Sequence, residues 1–343
     1  MRGNKLKELL IYLTSDCQLQ CKHCFVLKEN PIKELPLQNI EWLVKTFDIR
    51  NVNFLGGEPL LYPHLREAVG AFDKKTKITI STNGLAIAKN DSRAREILDI
   101  LKSKGENISV QLSIQGNQDD TDDIRGAGVW NKVLSVADIL KKNDIKCFFI
   151  CNYSSNNLDH IPEVIDSVAH PRHMPLALFP EIGKPALTAK EQSWLFTMIV
   201  QKNDQYNGNN VVDLPNFYQW LGLPGRCGAG AERLCVTYNG EFVPCHFDLQ
   251  YILGRVGDKL EIINRNREFF LKNAKRIKSG CGFCKNAEIC RGGCYIAGAH
   301  RGCPLRKDYT LERYAVASNI GEDALSAQIS NIRGLLKDSL ICG

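Results

Sequence analysis

Leu9-Leu10-Ile11-Tyr12-Leu13 runs on toward Cys17-Gln18-Leu19-Gln20-Cys21-Lys22-His23-Cys24, and that junction decides how the rest of the chain reads. The apolar run is strand-like, and the Cx3Cx2C spacing offers three thiolates from one tight loop. An iron–sulfur cube has four iron corners, so three thiolates leave one iron open to a small molecule. The same spacing also suits a three-thiolate zinc site completed elsewhere, or buried cysteines with no shared role.

Working outward, strand and helix patterns alternate. Runs rich in Ile, Val and Phe lie near 9–14, 52–55, 77–82, 108–114, 146–152 and 176–181. Between them Ile40, Leu43, Val44 and Phe47 follow the i, i+3, i+4, i+7 period, as do Leu65, Ala68, Val69 and Phe72, then Ala94, Ile97, Leu98 and Leu101. Val133, Val136, Ala137 and Leu140 repeat it, and Ile161, Val164, Ile165 and Val168 do so after a capping Asp159. Six such units predict an α/β fold with a parallel sheet curled into a partial barrel. Parallel barrels keep reactive residues at C-terminal strand ends, and Cys17, Gly57, Ser113 and Asn152 all stand where an apolar run stops.

Those strand ends carry further motifs. Gly56-Gly57-Glu58-Pro59 follows Val52-Asn53-Phe54-Leu55, and its glycines predict a backbone that comes close to a ligand. Ile78-Thr79-Ile80-Ser81-Thr82-Asn83-Gly84, Val110-Gln111-Leu112-Ser113-Ile114-Gln115-Gly116 and Arg125-Gly126 follow in that order. With the cysteine triad, these segments resemble the radical S-adenosylmethionine (radical SAM) superfamily. The resemblance implies a partial (β/α)6 barrel and a [4Fe–4S] cluster on Cys17, Cys21 and Cys24 that binds the amino and carboxylate groups of S-adenosylmethionine. Within Gly56-Gly57-Glu58, Gly57 and Glu58 would hold the amino group, Arg125 the carboxylate and Ser113 the ribose. His23 would pack beside the adenine, with a pH dependence near its titration range. Gln115 stands where the family usually has Asp, which implies altered ribose contacts. Reductive cleavage of the sulfonium would release a 5′-deoxyadenosyl radical, while the protein supplies orientation and exclusion of competing donors.

The second half is punctuated differently. Asp204-Gln205-Tyr206-Asn207-Gly208-Asn209-Asn210 carries no apolar period and reads as a loop or linker. Beyond it lie Cys227, Cys235 and Cys245, with Gly240 five positions before Cys245, then Cys281-x2-Cys284-x5-Cys290-x3-Cys294 and Cys303. This array resembles the SPASM domain. By that resemblance Cys227, Cys235, Cys245 and Cys294 would hold one auxiliary [4Fe–4S] cluster, and Cys281, Cys284, Cys290 and Cys303 a second, three clusters in all. The family pattern does not specify Cys235. CxxC steps alone do not separate iron from zinc. The expected organisation is a radical SAM partial barrel over 1–200, a linker over 201–226, a small cysteine-rich SPASM domain over 227–310, and a C-terminal helix over 311–343 with Leu325, Ile329, Ile332 and Leu336 at helical spacing.

Composition agrees with an ordinary globular chain: 343 residues, 44% hydrophobic, 24% charged, net charge +6. No apolar stretch approaches the roughly eighteen residues a membrane span needs, and Met1-Arg2-Gly3-Asn4-Lys5 leads into the first strand without a secretory core. A cytoplasmic protein is expected, and fourteen cysteines in a reducing compartment favour metal thiolates over disulfides. The basic stretch Lys272 to Lys278 reads as a solvated helix face, so neither a nucleic acid nor a membrane partner is expected.

Three cysteines fall outside the clusters. Cys147 and Cys151 flank Phe149 on the fifth strand and share its face. If that face looks into the barrel, a thiol could give a hydrogen atom to a carbon radical; otherwise both are small core residues. Cys342 lies at the chain end. His246 occupies the position where anaerobic sulfatase-maturing enzymes place an aspartate proton acceptor, and it reads either as a base or as a surface residue beside a cluster.

SPASM proteins mostly act on peptides, so the leading expectation is a maturase that crosslinks, oxidises or epimerises a ribosomally made peptide. A flavodoxin- or ferredoxin-type reductant is implied. There is no room for a leader-binding domain before residue 8, so a separate leader-binding protein, the barrel mouth or an exposed strand would take the leader. Alternatives are a formylglycine-generating sulfatase maturase, a small-molecule or tetrapyrrole oxidase, and, outside enzymes, an iron–sulfur electron carrier or zinc scaffold.

Overall fold

The computed structural model describes residues 4–26, 29–208, 210–214, 217, 221, 227–273 and 294–296. Each of the six expected runs forms a strand: β1 (Lys5–Tyr12), β2 (Asp48–Leu55), β3 (Lys77–Thr82), β4 (Ile108–Ile114), β5 (Cys147–Tyr153) and β6 (Leu176–Pro180). Neighbours pair in parallel from β1 through β6, with registers such as Leu9↔Val52, Val52↔Ile78 and Ile80↔Val110.

Helices α1 (Leu37–Thr46), α2 (Leu65–Ala71), α3 (Leu85–Ala88), α4 (Ser92–Lys102), α5 (Gln118–Arg125) and α6 (Val129–Lys142) cover the outer face. Asp91 starts α4 by accepting from the Ala94 amide, and an Asn117/Asp120 capping box starts α5. Ile11, Phe54, Ile80, Leu112 and Phe149 alternate outward and pack on Ile40, Leu65, Ile97 and Val136, all buried. Each such side chain contributes about 1.5–3 kcal/mol relative to exposure, so this face fixes the register.

Four features depart from the sequence reading. Ile161–Val164 (α7) continues as a π-helical segment, Ile165–Ala169, and Asn157 rather than Asp159 stands at the start of the preceding turn. α8 (Ala189–Tyr206) begins on a Thr188/Glu191 capping box and runs through the polar stretch expected to be linker. Its last turn is polar because Lys202 pairs with Asp166 and Asn203 bonds the backbone and side chain of Asn210; Asn207 ends it with φ +46°. A short strand, β7 (Val211–Val212), then pairs with β6.

The fourth is topological. β8 (Arg233–Val236) runs parallel to β1 on its other side, and β9 (Glu241–Val243) and β10 (Gly254–Arg255) extend the sheet antiparallel, giving the order β10-β9-β8-β1-β2-β3-β4-β5-β6-β7. The segment expected to open a separate domain is therefore part of the barrel sheet. α9 (Leu260–Asn273) packs Ile263 and Phe270 inward beyond it. Among the described residues no helix is long and apolar enough to cross a membrane. The expected C-terminal helix and Cys342 lie outside the described residues.

Candidate active site

The sheet curls enough that residues from both flanks line one cavity, with about 490 Å³ of open space counted to its mouth. Glu8 and Leu10 of β1, Asn53 and Leu55 of β2, Thr79 of β3 and Gln111 of β4 face it, opposite Phe148, Ile150 and Phe179 of β5 and β6. Period-two alternation puts Ser113 on the same concave face as Gln111. It puts Cys147, Phe149 and Cys151 on the other face. Phe149 and Cys151 are buried against the helical layer, and the Cys147 thiol contacts the Met174 sulfur. Their face looks away from the cavity. Burial pushes the Cys151 thiol up to about 12, as suits a core residue.

At the C-terminal end of β1 the cysteine loop is laced to its neighbours through the backbone. The Gly57 amide donates to Thr14 O at 2.7 Å and the Glu58 amide to Asp16 O at 2.6 Å. A Cβ on Gly57 would lie 2.2 Å from Asp16 O, and one on Gly56 2.7 Å from Thr14 O. The glycines thus admit the cysteine loop itself, where the sequence suggested the approach of a ligand. Glu58 is buried, and its carboxylate accepts from the Leu60 amide (3.0 Å), the Thr82 hydroxyl (2.6 Å) and the Asn83 amide (2.8 Å). Its first work is to tie β2 to the turn after β3; burial pushes it up to about 7 against those three donors.

Asn83, not singled out as a site residue from sequence, follows from that tie. Its side-chain amide donates to Cys17 Sγ at 3.7 Å, and its oxygen accepts from Gln18. Cys17 Sγ also accepts from the Leu19 amide at 3.4 Å. Cys24 N bonds Cys21 O, and Lys22 N bonds Ile124 O, which pins the loop to the last turn of α5. Burial, with Glu58, Cys21 and Cys24 nearby, pushes the Cys17 thiol up to about 11.

Arg125 ends α5 within charge reach of Cys21, Cys151, Cys24 and Cys17. Its Nε is buried with no hydrogen-bond partner among the described residues, and so is His23 Nδ1. Burial, then Arg125, lowers His23 to about 4. Gln115 is buried just past β4; its amide nitrogen donates to Asn152 O (3.0 Å) and reaches Glu181 (3.4 Å), while its Oε1 has no partner among the described residues. Three thiols in one loop, beside a guanidinium nitrogen and an imidazole nitrogen that have no partner among the described residues, fit a metal cluster bearing a carboxylate ligand.

A second thiol group sits across β1. Cys235, fully buried on β8, pairs in register with Leu10, and the β8–β9 hairpin brings Cys245 beside it. Cys245 is within charge reach of Cys227, Cys235 and Cys294. Cys281, Cys284, Cys290 and Cys303 lie outside the described residues. Among the described residues no three His, Cys, Asp or Glu side chains converge on a single metal ion; a cube presents its irons at separate corners and asks no such convergence.

His246 lines the cavity and is half-buried. Its carbonyl accepts from Tyr12 OH at 2.8 Å and its ring lies 3.9 Å from Phe247, which meets Phe25 of the cysteine loop edge-on at 5.3 Å. Burial, then Arg233, lowers His246 to about 3. Glu8 and Arg233, which sequence reasoning passed over, form an ion pair in the cavity wall.

Residues 11–168 match the Radical SAM superfamily model. Mycofactocin maturase MftC from Mycobacterium ulcerans is 25% identical over 316 residues, covering 85% of this chain and 84% of that protein. A cysteine-type anaerobic sulfatase-maturating enzyme from Clostridium perfringens is 26% identical over 331 residues, 82% and 86% of the two chains. SuiB from Streptococcus suis, solved with precursor peptide SuiA bound, superposes with a TM-score of 0.68 at 19% identity over 88% of this chain and 76% of that one.

Proposed function

With a radical SAM domain over residues 11–168 the chain is a radical SAM enzyme, and on that premise we propose that it modifies a peptide held in the curl of the sheet. A cluster on Cys17, Cys21 and Cys24, loaded with S-adenosylmethionine, supplies a 5′-deoxyadenosyl radical. Arg125 would hold the methionine carboxylate, Ser113 and Gln115 would take ribose hydroxyls, and His23 would pack its ring beside the adenine. Gly57 and Glu58 fix the loop that presents the thiols, with Glu58 acting through the turn at Asn83 and the Glu58 amide locked to Asp16 O.

The observation that carries this reading is the buried Arg125 Nε, which has no hydrogen-bond partner among the described residues and lies within charge reach of the three loop thiols. A guanidinium nitrogen left so costs about 1–3 kcal/mol or more, which a bound carboxylate would recover. Peptide substrates are supported by the full-length relatives: one is a mycofactocin maturase, another a sulfatase-maturating enzyme. Two auxiliary [4Fe–4S] clusters on the eight downstream cysteines would bring the total to three. A flavodoxin- or ferredoxin-type reductant and a cytoplasmic site of action belong to the same proposal, as does a separate leader-binding partner.

The test is anaerobic reconstitution with S-adenosylmethionine and reductant, followed by mass spectrometry of short peptides co-expressed from the same locus. 5′-Deoxyadenosine together with a loss of two hydrogens signals crosslinking or oxidation; unchanged mass with deuterium uptake signals epimerisation. No 5′-deoxyadenosine from fully loaded protein refutes the enzyme reading. A second reading, formylglycine formation, has one specific support: His246 lines the cavity, where a base would be needed. Turnover of a cysteine-containing sulfatase peptide separates the two.

A further inference from the structure

The wall of the cavity contains a charged pair that neither the radical SAM site nor the sheet requires. Glu8 and Arg233 are register partners across the β1–β8 ladder, and both face the cavity. Arg233 Nε donates to Glu8 Oε2, with the side chains only 13% and 5% exposed. The ladder already joins the strands from Glu8 through Ile11, and a buried ion pair is no better at holding two strands than apolar side chains of the same size. What such a pair supplies, and apolar residues cannot, is a fixed electric field.

Arg233 stands two residues before Cys235 on the same face of β8, and its register partner Glu8 stands two residues before Leu10, the register partner of Cys235. Both charges therefore flank one thiol of the downstream set. We infer that Glu8 and Arg233 set the reduction potential of an auxiliary cluster held on Cys227, Cys235, Cys245 and Cys294, from a seat in the wall of the substrate cavity. This rests on the reading of those four cysteines as one cluster site.

The physical basis is simple. An electron added to a thiolate-ligated cluster is negative charge placed in a medium of low dielectric, where a nearby cation stabilises it and a nearby anion opposes it. Arg233 therefore raises the potential and Glu8 lowers it, and removing them singly moves it in opposite senses. A pair too far from the cluster to act on it would produce no such opposition of sign. Both are positioning residues for electron flow; neither needs to touch the reacting atoms.

The experiment uses the full-length chain, reconstituted anaerobically, with Cys17, Cys21 and Cys24 changed to Ala so that any remaining cluster signal is auxiliary. Iron and sulfide are counted, and the signal is followed by electron paramagnetic resonance through a redox titration. Arg233→Gln is expected to shift the reduced-to-oxidised ratio at fixed potential at least tenfold toward oxidised, which is about 59 mV for one electron, and Glu8→Gln toward reduced. Arg233→Lys should stay near the parent. Shifts of the same sign, or no shift in protein with parental iron, overturn the inference alone. A parent without auxiliary iron overturns the cluster reading and the inference together. Should Arg233→Gln lose its iron, Glu8→Gln decides: an unchanged or lower potential overturns the inference.

Discussion

Gly57→Ala is the sharpest test of how the cysteine loop is held. The added Cβ would sit 2.2 Å from Asp16 O, 2.6 Å from Asp16 C and 2.7 Å from Ser15 O, all backbone atoms that no rotamer can move aside. Ordinary contact begins near about 3.5 Å, so the loop and the turn must part by roughly 1 Å. Two short hydrogen bonds cross that gap, Gly57 N to Thr14 O and Glu58 N to Asp16 O. Losing both costs about 0.5–1.5 kcal/mol each, and overpacking adds about 1–3 kcal/mol, so about 2–6 kcal/mol falls on the segment that presents Cys17. At about 1.4 kcal/mol per decade, S-adenosylmethionine affinity should fall at least about thirtyfold. Calorimetric titration of anaerobically loaded protein measures it. Gly70→Ala is the control: nothing lies within 4 Å of its Cβ position, and in the α2 helix the change should gain about 0.5–1 kcal/mol. A Gly57→Ala protein with full iron and affinity within about threefold of the parent would refute this account of the loop.

Arg125→Lys keeps the charge but loses the planar fork, and should weaken S-adenosylmethionine binding about 10- to 100-fold, the equivalent of one charged hydrogen bond; unchanged affinity would remove Arg125 from the site. Cys151→Ala and Cys147→Ala should leave product and deuterium incorporation unchanged, with Cys151→Ala costing about 1 kcal/mol of stability as for a deleted buried methylene; altered isotope incorporation would return these thiols to the cavity. The Asp120 hydrogen bond raises His160 above its ordinary 6.5, so the stability from that pair is complete below pH 6.5 and is lost as pH rises through the raised value. With His160 42% exposed, solvent screening holds the effect under about 1 kcal/mol. An NMR titration of its ring that gives a value at or below 6.5 would contradict this.

The legible part of the structure came from strong periods and dense motifs. Ile78–Thr82 and Val110–Ile114 alternate cleanly, and Cys17, Glu58, Ser113 and Arg125 sit at strand or helix ends where the motif order required them. Three things were not legible, for distinct reasons. The face taken by Cys147 and Cys151 depends on a one-residue choice of register that both flanking residues, Phe148 and Phe149, satisfy equally in apolar character. β7 spans two residues, too few to show any period. Glu8 and Arg233 lie 225 positions apart, and only the return of the chain to the open edge of β1 makes them neighbours.

That return bears on whether the barrel can be separated from the cysteine-rich half of the chain. Ending the chain at residue 226 would strip β8 from β1 and leave the β1 edge, with Leu9, Leu10 and Ile11 along it, unpaired. Exposed edges of this length pair with other chains. The cut would also remove Arg233 while leaving Glu8, 5% exposed in the intact chain, without its cation; breaking a buried pair in this way costs about 3–5 kcal/mol. Tyr12 would lose the His246 carbonyl to which its hydroxyl donates at 2.8 Å, and with it the brace two residues beyond Leu10. The truncated chain should therefore aggregate or bind iron poorly even though all three loop cysteines are present. Size-exclusion chromatography and an iron count decide the matter: a monodisperse fragment with full loop-cluster iron would mean that the β1–β8 ladder is a contact between independent units. If instead the fragment fails and Glu8→Gln within it restores solubility, the uncompensated carboxylate is the larger part of the cost. The spacing of the two thiol groups is then a property of one parallel ladder, held as rigidly as the barrel itself.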